Sequence, residues 1–367
     1  MKPENRQIRT YTSYSPSRYS SRPVPPPKSS LHPTKTKRFS WKKLLLRGFL
    51  LIIALVIITG GFLGWKFYEN ASKLTGNRNP LALLSLFNSG PLKETNGRVN
   101  ILLAGNSADD PSHQGANLTD SIMVISIDIT DKSAVLLSIP RDLLVDIPSF
   151  GYQKINAAYE DGGMNLLTQI IQQDFGITSD YNALINYTAF KSAVNAVGGI
   201  RIDIQSPDPR GIYDAYTQLQ LPNGWVTLTG QEALNLARAR GDTAAGDVSY
   251  GIPNSDFTRT MYQRQMLVAL KNKAVTAGFI INPFKVASLA DAVGNNVKTN
   301  LSLGNMVSLY DKAKGINNSH IRSFNLDNLS SQDYLTNYLT ADGQEALVPV
   351  AGIDNYSQIQ AALAAIL

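Results

Sequence analysis

The amino-acid sequence predicts an α/β domain, built on a mixed central sheet with helices on both faces, behind a single N-terminal transmembrane helix. Two observations support this fold class. An uncharged apolar run of 18 residues occupies positions 48–65. From about residue 98 onward, strand-like and helix-like apolar patterns alternate along the chain, with no internal repeat. Interleaved strands and helices are typical of a layered α/β structure.

The apolar run has the length of a membrane span. At about 1.5 Å per residue, a helix of this length reaches roughly 27 Å, close to the roughly 30 Å of bilayer hydrocarbon. Residues 1–47 contain 12 Lys or Arg and one acid, so the positive-inside rule places the amino terminus in the cytoplasm and the remainder outside. A cleaved signal peptide is the alternative, although no small-x-small cleavage site follows Trp65.

Charge divides the chain in the same way. Residues 1–47 carry a net charge of +11, whereas the other 320 residues, with 22 basic and 27 acidic side chains, carry −5. The basic tail suits the anionic membrane lipid of the inner leaflet, and no nucleic-acid partner is expected. The expected organisation is a disordered basic tail, a transmembrane helix, a linker and an extracytoplasmic domain, at residues 1–43, 44–67, 68–95 and 96–367.

Composition excludes several kinds of chemistry. The chain has no cysteine, which excludes disulfides and Cys-ligated metal sites. It has only three histidines, which leave little for a His-based catalytic triad. Stability must therefore come from packing, and the roughly 270 residues of the outer domain are enough for a large core.

The predicted elements follow one another in order. Short apolar runs predict three strands, at Val99–Ala104, Ser121–Ile129 and Ala134–Ile139. Apolar residues at helical spacing predict two helices, at Met164–Phe175 and at Tyr187–Val197, where Gly198 and Gly199 end the second. A further strand is predicted from alternating Ile200, Ile202 and Ile204, and residues 276–367 are expected to complete the sheet.

The first polar motif lies at one edge of the predicted sheet. Residues 117–121 precede one strand, and Ser138–Asp142 ends the next. Polar residues at strand ends are the usual place for a site in an α/β fold. Pro140 ends the sheet ladder and would present Arg141 rather than bury it. A salt bridge within the turn, between Arg141 and Asp142, is an equally good interpretation.

The second motif follows a predicted helix start. Thr229 to Glu232 has the T-x-x-E form of a capping box, and Arg238 and Arg240 come later. Residues two apart point to the same side only in an extended segment, so the two guanidiniums converge only if the helix ends by about Arg238. Converging guanidiniums suit a pyrophosphate, since each can bind two phosphate oxygens. The alternative is a pair of surface arginines bound to Asp242 and Asp247.

The third motif lies on the next predicted helix, with Ser255 as a candidate N-cap. The residues that share one face at this spacing are Asp256, Arg259, Gln263 and Met266. An acid in the first turn also suits the helix dipole, so simple capping is the alternative role for Asp256.

In their order, these motifs resemble the LytR-CpsA-Psr family of bacterial envelope glycopolymer transferases. The resemblance covers roughly residues 98–275 and extends to the domain's tail. The residues that match family motifs are Ser138–Asp142; Lys154, Ile155, Asn156, Ala158 and Tyr159; Gly162 and Gly163; Val197–Ile200; Gly230, Ala233, Leu234, Arg238 and Arg240; and Asp256, Arg259, Gln263 and Gln265.

The resemblance implies a mixed sheet that holds a polyprenyl chain in an apolar tunnel, with the lipid's pyrophosphate at the mouth. It implies transfer of a phosphorylated glycopolymer from this carrier to a peptidoglycan hydroxyl. Asp120 would help to bind Mg²⁺, and Asp256 would orient Arg259 or accept the hydroxyl proton. The residues that would bind the pyrophosphate are Arg141, Arg238, Arg240, Arg259 and Gln263. Arginines and a hard cation suffice for phosphoryl transfer, which is mostly positioning and charge neutralisation.

The chain departs from the family pattern at two places. Ser107 stands where the family has a metal-binding aspartate, and Leu118 stands where it has an arginine. Asp109 or Asp110 is the expected replacement carboxylate, because Mg²⁺ often takes only one or two carboxylates together with waters and substrate phosphate. These departures leave two other functions open: a non-catalytic binding module for lipid-linked precursors, and a pyrophosphatase acting on the same lipid.

Overall fold

The computed structural model describes residues 91–110, 115–241, 248–253, 255–276 and 296–367. These residues all belong to one compact unit, Ile58–Leu367. The predicted tail, the predicted transmembrane helix and most of the predicted linker lie outside the described residues. Within the described ranges, no helix combines the length and the apolar character needed to cross a bilayer.

In the described residues, strands and helices are interleaved along the chain, as in a mixed α/β fold. The strands are β1 (Arg98–Gly105), β2 (Ser121–Asp128), β3 (Ser133–Ile139), β4 (Leu144–Ile147), β5 (Gly151–Lys154), β6 (Tyr181–Ile185), β7 (Ile200–Ile204), β8 (Ile212–Asp214), β9 (Leu219–Leu221), β10 (Gly224–Leu228), β11 (Val297–Thr299), β12 (Ile321–Asn325), β13 (Leu335–Leu339) and β14 (Glu345–Pro349). The α-helices are α1 (Ala158–Phe175), α2 (Tyr187–Ala196), α3 (Gly230–Arg238), α4 (Ser255–Thr276), α5 (Leu303–Ala313) and α6 (Ser357–Ala364).

A six-stranded mixed sheet forms the centre, with the strand order β11-β6-β1-β2-β3-β12. The β1–β2, β2–β3 and β11–β6 pairs are antiparallel, whereas the β1–β6 and β3–β12 pairs are parallel. Both edge strands come from the region after residue 276. The prediction of a mixed central sheet completed by residues 276–367 is therefore confirmed.

Alternating side chains of the central strands build a core on each face of the sheet. Leu102 and Ala104 of β1 share a core with Leu167 and Ile171 of α1, and with α6. Val99 and Ile101 of β1, at the odd-numbered positions, belong to a second core that includes Leu309 of α5. Helices thus cover both faces, as the sequence predicts.

The strand Ile200–Ile204 forms a ribbon outside the central sheet. It pairs with β10 in antiparallel register, with Ile202 opposite Val226. Its buried isoleucines pack with Leu236 of α3 and Met266 of α4 in a third core. Alternation alone shows that one face of a strand is buried, and it does not tell which sheet the strand joins.

Two glycine pairs set helix boundaries. Helical structure begins at Ala158, earlier than predicted, and a kink at Gly162 and Gly163 separates a short first segment from the predicted helix beginning at Met164. Gly163 has φ 69° and ψ −166°, a conformation that only glycine adopts readily. At the other pair, α2 ends at Ala196, and Gly198 and Gly199 follow with φ of 82° and 83°. The predicted stop is confirmed.

Candidate active site

A cavity of about 720 Å³ lies between the ends of central strands and the helices α2, α3 and α4. Most of its wall is apolar and includes Leu103, Met123, Ile185, Phe190, Leu234, Met266, Leu267, Leu270, Val297 and Met306. The cavity also contains a polar set, consisting of Asn106, Asp120, Ser121, Arg141, Asn186, Tyr187, Tyr216, Arg238, Arg240, Arg259 and Gln263. It therefore joins a large apolar surface to the four guanidinium groups that the sequence motifs predict.

Arg141 reaches the cavity from the edge of the sheet. β2 and β3 pair with Ile122 opposite Ile139, which brings the residues just beyond them together. Arg141 Nη1 donates to Asp120 Oδ1, and Arg141 Nε lies 3.5 Å from Asp142 Oδ2. Burial opposes the charge of Arg141, but Asp120 and Asp142 raise its pKa above the ordinary value. Both interpretations of the motif hold, since Arg141 forms a turn salt bridge and also lines the cavity.

Asp142 ties this turn to the following hairpin. Lys154 Nζ donates to Asp142 Oδ1 at 2.9 Å. Burial alone would raise the pKa of Asp142, but the hydrogen bond from Lys154 and the charge of Arg141 lower it below the ordinary value. Asp142 therefore stays ionised and holds the Arg141 turn in place.

Arg238 and Arg240 converge on the cavity as the sequence predicts. The capping box at Thr229 is present, because the Thr229 side chain accepts from Glu232 N and the Glu232 side chain accepts from Thr229 N. The helix ends at Arg238, and Ala239 is extended with φ −60° and ψ 128°. Both arginines line the cavity because the segment is extended beyond Arg238. The alternative partners, Asp242 and Asp247, lie outside the described residues.

Two tyrosine rings hold the Arg238 guanidinium. Its Cζ lies 4.8 Å from the ring centroid of Tyr187 and 5.8 Å from that of Tyr216. Burial raises the pKa of Tyr187, and the positive charge of Arg238 opposes that rise. Cation–π attraction to the two rings restrains the guanidinium at the cavity wall, where it can bind an anion.

Arg259 is more buried than the other two cavity arginines that form ion pairs, Arg141 and Arg240, and its side chain is only 5% exposed. Its Nη2 donates to Asp256 Oδ1, and Arg240 Nη2 lies 3.8 Å from the same oxygen. Burial lowers the pKa of Arg259 to about 10, an effect that Asp256 opposes and that the charges of Arg240 and Arg141 reinforce. Arg259 therefore remains charged at neutral pH. Asp256 holds two arginines and does not itself line the cavity.

Gln263 connects three elements at the cavity wall. Its Nε2 donates to the backbone oxygen of Ala237 at 2.9 Å, and its Oε1 accepts from Ser121 Oγ at 2.9 Å. It shares the cavity-facing side of α4 with Arg259 and Met266. The one-face prediction for this helix is confirmed for these three residues.

The three predicted metal ligands lie in different surroundings. Asp120 lines the cavity, whereas Asp109 and Asp110 do not. The Asp109 carboxylate accepts from Tyr187 N at 3.1 Å and Thr188 N at 2.6 Å, so it caps the first turn of α2. Among the residues that the structure describes, no three acidic or histidine side chains are grouped to hold a metal ion.

A cation with few protein ligands nevertheless fits the cavity. Mg²⁺ is commonly bound by one or two carboxylates, with waters and substrate phosphate oxygens completing its shell. Asp120 offers one carboxylate, and the buried amide of Asn106 lines the same cavity. Among the residues that the structure describes, Asp120 is therefore the carboxylate best placed to hold such a cation.

Sequence reasoning did not identify Tyr187 and Tyr216 as site residues. Tyr187 is the first residue of α2 and lies two residues after the end of β6, so its position near a strand end was an available signal. Tyr216 lies in the turn between β8 and β9, and no local pattern indicates that it meets Arg238.

Comparison with known proteins decides the family. The sequence model of the LytR_cpsA_psr family matches residues 66–348, which is most of the chain. The chain belongs to the LytR_cpsA_psr family. The family expected from the order of the arginine motifs is therefore confirmed.

Other members of the LytR_cpsA_psr family resemble this one in sequence and structure. Regulatory protein MsrR of Staphylococcus aureus strain COL is 32% identical over 225 residues, and the alignment covers 59% of this chain and 63% of MsrR. The polyisoprenyl-teichoic acid–peptidoglycan teichoic acid transferase TagU of Oceanobacillus iheyensis is 29% identical over 296 residues, covering 77% of this chain and 84% of TagU. A structure of TagT bound to LIIa-WTA has 25% identity and a TM-score of 0.54, covering 75% and 95% of the two chains.

Proposed function

We propose that this chain is a membrane-anchored phosphotransferase that moves a glycopolymer from a polyprenyl-pyrophosphate carrier to a hydroxyl of peptidoglycan. The observation that most supports this function is the cavity itself, which places four arginines beside a long apolar wall. Such a cavity suits a ligand with an anionic head, which the arginines would bind, and an apolar tail, which would lie along the wall. The relative TagU, a teichoic acid transferase by name, supports the same reaction class.

In the proposed reaction, an oxygen of the acceptor hydroxyl attacks the phosphorus that carries the glycan. The phosphoanhydride bond breaks, polyprenyl phosphate leaves, and the hydroxyl proton passes to a carboxylate or to water. Phosphoryl transfer depends mainly on positioning and on neutralising the phosphate charge. The guanidiniums of Arg141, Arg238, Arg240 and Arg259 are proposed to do both.

The arginines are held by different means, which suits a preorganised site. Arg259 is fixed by burial and by Asp256, and Arg238 by the two tyrosine rings. Donors that are already oriented need no rearrangement when charge develops in the transition state. Asp256 is proposed to orient Arg259 and Arg240 rather than to take the proton, because both lie at its Oδ1.

Mg²⁺ is proposed as the cofactor, with Asp120 as its carboxylate ligand. When bound, a divalent cation would supply further neutralisation of phosphate charge. Because Arg141 donates to Asp120, cation binding and Arg141 are expected to compete for the same carboxylate. This competition gives the metal a measurable effect on the arginine site.

The proposal of membrane anchoring is supported by the apolar run at residues 48–65 and the basic residues before it. The carrier's tail stays in the bilayer. An enzyme anchored at the same membrane surface meets this carrier more often, because anchoring raises the effective concentration of one near the other. The proposed location is the cell membrane, with the amino terminus in the cytoplasm and the catalytic domain outside.

A non-catalytic binding module is the second candidate. The observation that favours it is the use of Asp109 as a helix cap and of Asp120 as an ion-pair partner. One assay distinguishes the transferase, the binding module and the pyrophosphatase. It uses the full-length chain in detergent with a lipid-linked glycan, a peptidoglycan acceptor and Mg²⁺. Transfer gives a glycan joined to the acceptor. A pyrophosphatase hydrolyses the carrier's phosphoanhydride without acceptor and gives polyprenyl phosphate and a free glycan phosphate. A binding module retains the lipid after chelation and gives no product.

A further inference from the structure

Asp214, the last residue of β8, is a fully buried acid next to the arginine segment. Its carboxylate accepts four hydrogen bonds. Oδ1 accepts from Arg240 N at 3.1 Å and from Gly241 N at 2.9 Å. Oδ2 accepts from Thr217 N at 2.9 Å and from Thr217 Oγ1 at 2.7 Å. One side chain therefore joins two backbone segments that are distant in sequence.

Both segments carry residues of the cavity. Arg240 lines it directly, and Tyr216, which lies between Asp214 and Thr217, lines it beside Arg238. Asn235 of α3 also donates to the backbone oxygen of Thr217, at 3.1 Å. The turn that carries Tyr216 and the segment that carries Arg240 are thus held at a fixed separation.

The arginine segment needs such a partner because α3 ends early. Ala239 N still donates to Asn235 O within the helix pattern. The next two amides, of Arg240 and Gly241, have left the helix and are satisfied by Asp214 Oδ1. These two amides are partly buried and need an acceptor, so Asp214 Oδ1 helps to fix where the backbone of Arg240 lies.

We infer that Asp214 is a positioning residue of the arginine site, and the inference rests on the proposed function. Asp214 is not in the cavity wall. It sets the backbone from which Arg240 projects and the turn that brings the Tyr216 ring to Arg238. The anion affinity of the site therefore depends on a side chain behind it.

Only a carboxylate can accept from all four donors. An asparagine in its place has one oxygen, and its nitrogen donates rather than accepts. In an Asp214→Asn protein, the amide nitrogen would replace either Oδ1 or Oδ2. It would then face the N–H groups of Arg240 and Gly241, or the N–H group of Thr217. We expect the amides of Arg240 and Gly241, or that of Thr217, to lose their acceptor.

Two measurements on the full-length protein test this inference. The first is the amide hydrogen exchange of Arg240 and Gly241, which needs no ligand, and the second is the affinity for inorganic pyrophosphate. For Asp214→Asn we expect exchange at these amides to be about tenfold faster and the dissociation constant for pyrophosphate to rise by about tenfold. Rescue is expected in Asp214→Glu, which keeps four acceptor positions, and this variant also serves if Asp214→Asn does not fold.

Asp180→Asn is the matched control. Asp180 also accepts from a threonine hydroxyl, Thr95 Oγ1 at 2.8 Å, and from a backbone amide, Asn100 N at 2.7 Å, but it does not line the cavity. The same substitution is therefore expected to lower thermal stability there without changing pyrophosphate affinity. A folded Asp214→Asn protein with wild-type exchange, or with wild-type affinity, would overturn the positioning role. Absence of pyrophosphate binding by the wild-type protein would overturn the proposed function, while the exchange rates would still support or overturn the role of Asp214 in holding the amides of Arg240 and Gly241.

Discussion

Asp256 and Arg259 lie one turn apart on α4 and form an ion pair, in which the nearly buried guanidinium of Arg259 donates to Asp256 Oδ1. Arg240 approaches the same oxygen from another segment, at 3.8 Å. A single carboxylate at the first turn of a helix thus holds two of the four cavity arginines. The sequence permits either this role or simple capping of the helix, and the two roles predict different consequences of mutation.

We predict that Asp256→Asn lowers the transfer rate by about tenfold or more, because Arg259 and Arg240 lose their common anchor. Glycan transfer to the acceptor, measured at saturating lipid substrate, checks this outcome. Glu160→Gln, which removes an acid from the first turn of α1, is the control for loss of a helix-dipole interaction. If Asp256→Asn and Glu160→Gln both transfer at the wild-type rate, Asp256 is only a capping residue.

Asp109 and Asp120 are expected to respond differently to mutation, although both are predicted metal ligands. Asp109→Ala should cost about 1 kcal/mol of unfolding free energy, because two backbone amides of α2 lose their cap. Asp120→Asn should abolish the Mg²⁺ dependence of transfer. Urea denaturation and a Mg²⁺ titration of transfer measure the two effects. A loss of Mg²⁺ dependence in Asp109→Ala would instead make Asp109 a metal ligand.

Asp174 makes stability depend on pH. Burial, together with the negative charges of Asp354 and Asp146, raises its pKa from 3.8 to about 7. The folded protein therefore keeps this proton where the unfolded chain has released it. The stabilisation is complete below about pH 4 and is lost as the pH rises through about 7, at about 1.4 kcal/mol per unit of pKa difference.

Asp174→Asn should remove this dependence. We expect the variant to be more stable than the wild type at about pH 8 and its unfolding free energy to change less between about pH 5 and pH 8. Urea denaturation at the two pH values is the measurement. An undiminished fall of stability with pH in the variant would show that another group is responsible.

The apolar wall should determine lipid binding separately from the arginines. Leu267→Trp adds bulk inside the cavity, so binding of a polyprenyl phosphate should weaken by about tenfold or more while binding of inorganic pyrophosphate stays unchanged. Lys273→Trp, on an exposed part of the same helix, is the control. Equal loss of both ligands in Leu267→Trp would mean that the wall and the arginines do not act independently.

Local signals predicted much of the fold and site. The capping box at Thr229 and the early end of α3 are set by neighbouring residues, so the convergence of Arg238 and Arg240 could be foreseen. The stop at Gly198 and Gly199 is equally local, since both adopt positive φ. Helix ends of this kind depend on a few adjacent residues and are therefore visible in sequence.

Long-range contacts could not be predicted in the same way. Alternation of Ile200, Ile202 and Ile204 predicted a strand but did not reveal that this strand pairs with β10 rather than with the central sheet. Asp109 looked like a replacement metal ligand because of its position, whereas its carboxylate caps α2 across 78 residues of sequence. Tyr216 and Asp214 carry no motif, and only the folded chain brings them to the arginines.

The most direct test of the central claim is glycan transfer by a full-length Arg238→Ala, Arg240→Ala double variant. Arg201→Ala, Arg210→Ala is the matched control, because it removes two arginines that are not in the cavity wall. If the arginine segment binds the carrier's pyrophosphate, the first variant should lose at least about a thousandfold in transfer rate, and the control should keep the wild-type rate. Wild-type transfer by the Arg238→Ala, Arg240→Ala protein would contradict the proposed site.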